Sequence, residues 1–98
     1  MPVIRMTRFE VAPSDVEEMI ARRNALVAAV RNAFPGLTEA RLARIGERVW
    51  TDSWRWESPA SLEAALKAAA TGALPEAGPA FDLTGNATAE TAEIIDER

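Results

Sequence analysis

The sequence predicts one α+β domain of the ferredoxin-like kind, with strands and main helices in the order strand, helix, strand, strand, helix, strand. Three observations carry this. Period-two and helical apolar patterns alternate along the chain in that order. Pro35-Gly36, Gly46, Ser58-Pro59 and Gly85-Asn86 punctuate the junctions. A chain of 98 residues is also long enough for one hydrophobic core and too short for a second, so 1–98 is read as a single domain.

Residues 3–11 mix β-branched and aromatic side chains with polar ones at period two, and Ala12-Pro13-Ser14 closes this first strand with a turn signal. Ser14 followed by Glu17 has the form of a capping box, which predicts a helix starting at Asp15. Val16, Met19, Ile20, Val27, Val30 and Phe34 form its apolar stripe, with Glu17, Glu18, Arg22 and Arg31 away from it. The arginines of this helix read as a solvated face. Pro35-Gly36 ends it.

Residues 37–45 and 48–57 read as two strands around Gly46-Glu47, because glycine first in a two-residue loop suits a type II′ hairpin turn. That turn implies a register with Ala43 opposite Trp50, Arg41 opposite Asp52, Glu39 opposite Trp54 and Leu37 opposite Trp56. Ser58 ahead of Pro59 is a hydroxyl cap before a proline at the first helical position. It predicts a second helix through Leu62, Leu66 and Ala69 that frays near Thr71-Gly72. Residues 75–83 suit a short extra helical turn, Gly85-Asn86 reads as a break, and residues 91–96 as the last strand.

Two helices on one side of a four-stranded antiparallel sheet follow from this order. The other sheet face would carry Ile4, Met6, Val49, Thr51, Ser53 and Arg55, a mixed surface suited to covering by a second copy, so a homodimer packed sheet to sheet is expected.

Composition narrows the chemistry. Without cysteine or histidine there is no thiolate nucleophile, no imidazole base and no sulfur- or imidazole-ligated metal. A net charge of −4 with no Lys/Arg cluster argues against nucleic acid as a partner. No segment stays apolar long enough to cross a membrane, and the amino terminus does not look like a secretory signal, which predicts a cytoplasmic protein.

The run Trp54-Arg55-Trp56-Glu57-Ser58-Pro59-Ala60-Ser61-Leu62-Glu63-Ala64-Ala65-Leu66 resembles the antibiotic biosynthesis monooxygenase group of the dimeric α+β barrel superfamily. In that group a strand-ending aromatic is followed by an acidic residue, a helix cap and an alanine/leucine-rich helix. The resemblance implies a dimer of ferredoxin-like units, each with a small cavity between helices and sheet. It also implies activities ranging from cofactor-independent oxidation of polyketide anthrones and quinols to heme degradation. Trp56 falls at the family's pocket tryptophan. Thr7 falls where the heme-degrading members have asparagine, and their histidine iron ligand has no counterpart in a chain without histidine. No cofactor is therefore expected.

Trp50, Trp54 and Trp56 recur at period two, so one strand face presents three indoles, either as an aromatic wall for a flat ligand or as core packing. Asp52 lies between them as a candidate catalytic base, with Arg41 as its expected cross-strand partner. Arg5 and Thr7 share a face of the first strand, and Asn24 sits at the polar boundary of the first helix. These three are candidate contacts to a ligand oxygen.

Two functional classes stay open: a cofactor-independent monooxygenase or binder acting on a small aromatic, polyketide-like compound, and a non-enzymatic dimeric ligand-binding or accessory module. A regulatory amino-acid-sensing domain of similar topology would call for a ligand site at a subunit interface, and no glycine-rich loop supports one.

Overall fold

The computed structural model describes all 98 residues. The elements are β1 (Val3–Val11), a 3-10 turn (Pro13–Asp15), α1 (Val16–Ala33), β2 (Leu37–Arg44), β3 (Val49–Trp56), α2 (Pro59–Ala70), α3 (Ala77–Asp82) and β4 (Thr84–Glu93). All pairings are antiparallel, in the spatial order β2-β3-β1-β4. This is the ferredoxin-like arrangement, with β1 and β3 central and the helices on one face.

Local chemistry explains most boundaries. Ser58 Oγ accepts from the Ser61 backbone N–H at 3.2 Å and Pro59 occupies the first turn, so α2 starts where its cap dictates. At α1 the expected capping box does not form. Pro13 instead nucleates a 3-10 turn closed by Asp15 N–H donating to Ala12 O at 2.8 Å, and the helix proper starts at Val16. Gly36 is buried where α2 crosses the entry to β2. A Cβ there would lie 2.6 Å from the Ser61 Cβ, so only glycine admits this approach.

The β2–β3 register differs from expectation by one residue. The loop is the four residues 45–48, with Ile45 and Gly46 N–H groups both donating to Val49 O at 2.8 and 3.1 Å. Arg44 holds this wider loop by donating to the carbonyls of Gly46 and Glu47 at 3.0 and 3.1 Å, with its guanidinium 5.4 Å from the Trp50 ring centre. Leu42 therefore stands opposite Asp52, and Ala40 opposite Trp54. Arg41 turns to the other face, where it pairs with Glu39. A bulge between Leu37 and Glu39 restores Leu37 to its expected place beside Trp56.

β4 begins earlier and ends earlier than expected. Gly85-Asn86 is not a break but an irregularity inside the strand, opposite Arg8–Glu10. Asn86 takes a φ of 51° there and donates to the Glu10 carboxylate.

The core lies between the helices and the inner sheet face. Trp56 packs with Val3, Leu37, Leu26, Val30 and Leu62, while Trp50 joins Phe9, Val11 and Met19 in a second cluster. On the other sheet face Ile4, Met6, Val49, Thr51, Ser53 and Arg55 are half-buried. No helix is long and apolar enough to cross a membrane.

Beyond β4 the chain is tied back across that second face. Arg55 donates to both Glu97 oxygens at 2.6 and 2.7 Å, and Ile94 N–H donates to Pro2 O at 3.0 Å. The Arg55 hydrogen bond holds the Glu97 carboxyl below its ordinary value of 4.5. A depressed carboxyl contributes its interaction above its ordinary value and loses it as pH falls through the lower, folded one. The 94–98 segment is therefore expected to loosen in acid below pH 4.5 while the sheet stays formed. Amide exchange of Ile94–Glu97 checks this, and Glu97→Gln should abolish the pH response.

Candidate functional site

A cavity of about 360 Å³ lies between the inner sheet face and the three helices, lined by 22 residues of which 16 are hydrophobic. Its existence follows from small side chains. Ala65 and Ala69 on α2, Ala77 and Ala80 on α3, and Ala87 and Ala89 on β4 face it where larger residues would have filled the space. The alanine richness of the second half of the chain is thus the sequence counterpart of the cavity.

The sheet supplies the cavity's polar and aromatic floor in rows. One row runs Leu42, Asp52, Thr7, Ala89, and the next Ala40, Trp54, Arg5, Thr91. A third holds Leu37, Trp56, Val3 and Glu93. Asp52, Trp54, Trp56, Arg5 and Thr7 all line the cavity. Trp50 does not; it lies in the second core cluster beneath α1. Asn24 is exposed on α1 and outside the cavity, where its side-chain oxygen accepts from Arg23 at 3.1 Å.

The partner of Asp52 is Arg23, not Arg41. Arg23 Nε and one terminal nitrogen donate to the two Asp52 oxygens at 3.0 and 2.8 Å, a bidentate pair whose side chains are 14% and 10% exposed. Arg23 is thus not on the solvated face expected for the arginines of α1. A signal was present, however. Met19, Arg23, Leu26 and Val30 follow a four-three-four spacing, so Arg23 sits on the buried stripe of α1, and a charge there calls for a buried partner. Asp52 is the only carboxylate among the lining residues.

Both Trp50 and Trp56 have buried indole N–H groups with no acceptor in the protein. For Trp50, packed in an apolar cluster, this is an unmet donor of the core. Trp56, 2% exposed, is also one of the residues that line the cavity.

No protein-family model and no curated protein sequence matches the chain. Solved structures do. SnoaB from Streptomyces nogalater, a cofactor-independent oxygenase, superposes with a TM-score of 0.72 at 24% identity over 98% of this chain and 95% of its own. A candidate antibiotic biosynthesis monooxygenase from Caulobacter crescentus gives a TM-score of 0.73 at 21% identity over 97% and 91% of the two chains. A MhuD mutant with two manganese protoporphyrin IX groups bound per active site gives 0.77 at 24% identity over 98% and 97%. At these identities the likeness is one of fold. In fold, a four-stranded antiparallel sheet with helices on one face, the chain is similar to these antibiotic biosynthesis monooxygenase-type structures.

Proposed function

We propose that the protein binds a small aromatic compound in the helix-sheet cavity and oxidises it with dioxygen as a cofactor-independent monooxygenase, working as a homodimer in the cytoplasm. The observation that carries this reading is the cavity itself, apolar in most of its lining, with Trp54 and Trp56 as wall and floor. At about 360 Å³ it falls within the range usual for small-molecule sites, ~300–1,000 Å³. The fold shared with SnoaB supports the oxygenase class.

The reaction fits an electron-rich phenol or anthrone. A base removes a proton from the activated carbon, and the resulting carbanion passes one electron to dioxygen. The radical pair then joins through a new C–O bond, and the protonated hydroperoxide loses water to leave the quinone. One dioxygen is consumed per anthrone, with one oxygen atom in the quinone and one in water. In this scheme Asp52 accepts the proton. Arg23 occupies two of the roughly four lone-pair positions of its carboxylate, leaving two for a ligand. The protein orients the ring between the indoles, excludes water, and stabilises the anion.

A porphyrin is not a ligand these residues fit. The chain has no histidine, cysteine or tyrosine to coordinate iron, and Met19, the one methionine at the cavity, is packed in the Phe9 cluster. A second reading, a binding module without oxygenase activity, is favoured by one observation, the double engagement of Asp52 by Arg23.

Turnover of a model anthrone, followed by quinone absorbance together with oxygen uptake, separates the two. The enzyme reading expects quinone formation that needs air and falls by ~10²–10⁴-fold in Asp52→Asn, the contribution of a positioned base. Oxygen uptake no faster than in buffer would leave only the binding module.

A further inference from the structure

We infer that the ligand of this cavity is a monoanion, an aromatic carboxylate held by Arg5. The inference rests on the reading of the cavity as an aromatic-binding site and adds the charge and the anchoring point.

Six polar residues line the cavity: Arg5, Thr7, Arg23, Asp52, Thr84 and Thr88. Arg23 and Asp52 neutralise each other through two hydrogen bonds at 3.0 and 2.8 Å. The lining therefore carries one uncompensated charge, that of Arg5. The Arg5 residue is half-buried, and the one side-chain hydrogen bond of its guanidinium is a long, exposed one of 3.4 Å to the neutral Thr91 hydroxyl.

The other arginines are accounted for differently. Arg22, Arg23, Arg41, Arg55 and Arg98 each have a carboxylate within ion-pair distance. Arg44 is used by the carbonyls of its turn, while Arg8, Arg31 and Arg48 are exposed to water. Arg5 alone combines partial burial, a place at the cavity and no anionic partner. The two carboxylates nearest in register on the same sheet face do not serve it, since Glu93 makes no ion pair and Asp52 is engaged by Arg23.

A guanidinium beside an apolar lining gains from a counter-charge, and Arg5 has none within the protein. A ligand anion would supply that interaction, and a carboxylate matches the planar fork with two parallel hydrogen bonds. With a single free cation the site suits one delocalised negative charge rather than a phosphate dianion. The sheet register also fixes what lies beside the anchor: Trp54 stands directly opposite Arg5 on β3, and Thr7 follows on the same face of β1. An aromatic acid would thus have its carboxylate at Arg5, near the Thr7 hydroxyl, and its ring along Trp54 and Trp56.

Quenching of tryptophan fluorescence by two probes of equal shape tests this, a naphthoate and the naphthylmethanol substituted at the same ring position. The intact protein should bind the naphthoate about tenfold more tightly, the value of one charge-assisted hydrogen bond. Arg5→Met should erase that preference while keeping the affinity for the alcohol, Arg5→Lys should retain part of it, and Arg8→Met on the opposite face should leave it intact. Equal affinities in the unmodified protein would overturn the anionic subsite without any variant. So would a preference that survives in a folded Arg5→Met protein. Failure of both probes to bind would remove the aromatic-binding reading and this inference with it.

Discussion

Trp56→Ala is expected to destabilise the domain by about 3–5 kcal/mol, the range for removing a large aromatic from a packed interior. Trp56 is 2% exposed and joins β1, β2 and α2 through Val3, Leu37 and Leu62, so the void cannot close by moving one element. Small domains hold only about 5–15 kcal/mol in all, and urea unfolding should show a large fall in midpoint. Trp56→Phe separates packing from hydrogen bonding. It should lower stability by only about 1–2 kcal/mol, because the indole N–H has no protein acceptor to lose. If a bound ligand accepts from that N–H, Trp56→Phe lowers ligand affinity more than it lowers stability. A loss above about 3 kcal/mol for Trp56→Phe would contradict the picture of an unpartnered donor.

The second large effect is expected at Arg23. Arg23→Met leaves the Asp52 carboxylate facing an apolar cavity without a counter-charge, which should destabilise by about 2–4 kcal/mol, slightly under the figure for fully buried pairs. The double variant Arg23→Met with Asp52→Leu should recover most of that loss, since two apolar side chains of similar size replace the pair. Arg41→Met, the partner the short hairpin turn would imply, should change stability by less than about 0.5 kcal/mol because Arg41 is exposed on the opposite face. Thermal or urea unfolding of Arg23→Met, Asp52→Leu and the double variant beside the unmodified protein forms a double-mutant cycle. Additive single effects at Arg23 and Asp52 would mean that the pair does not couple.

The Arg23–Asp52 pair also shows where sequence reading stops. Alternation along β3 placed Trp50, Asp52, Trp54 and Trp56 on one face, and that is how they stand, because side-chain direction in a strand depends only on the strand itself. Which residue Asp52 meets depended on the width of a turn that Gly46 suggested as two residues. Arg44, by holding the turn carbonyls and the Trp50 face, makes it four. One residue of slip moved Arg41 to the opposite face, and the bulge at residue 38 hid the slip at the far end by returning Leu37 to Trp56. The early start of β4 is not legible in the local sequence for a related reason. Gly85-Asn86 has the composition of a break, and only pairing with Glu10 and Val11 turns it into an irregularity within a strand.

The chain alone determined the order of its elements, the cap and proline that start α2, the face shared by the indoles and the absence of imidazole and thiol chemistry. All of these depend on neighbours a few residues apart or on composition. Tertiary structure decided the partner of Asp52, the removal of Trp50 and Asn24 from the cavity, and the isolation of Arg5 as its one unpaired cation. Those outcomes are set by which face of one element meets another, and the alanines of α2, α3 and β4 become a cavity only when they converge on the same floor.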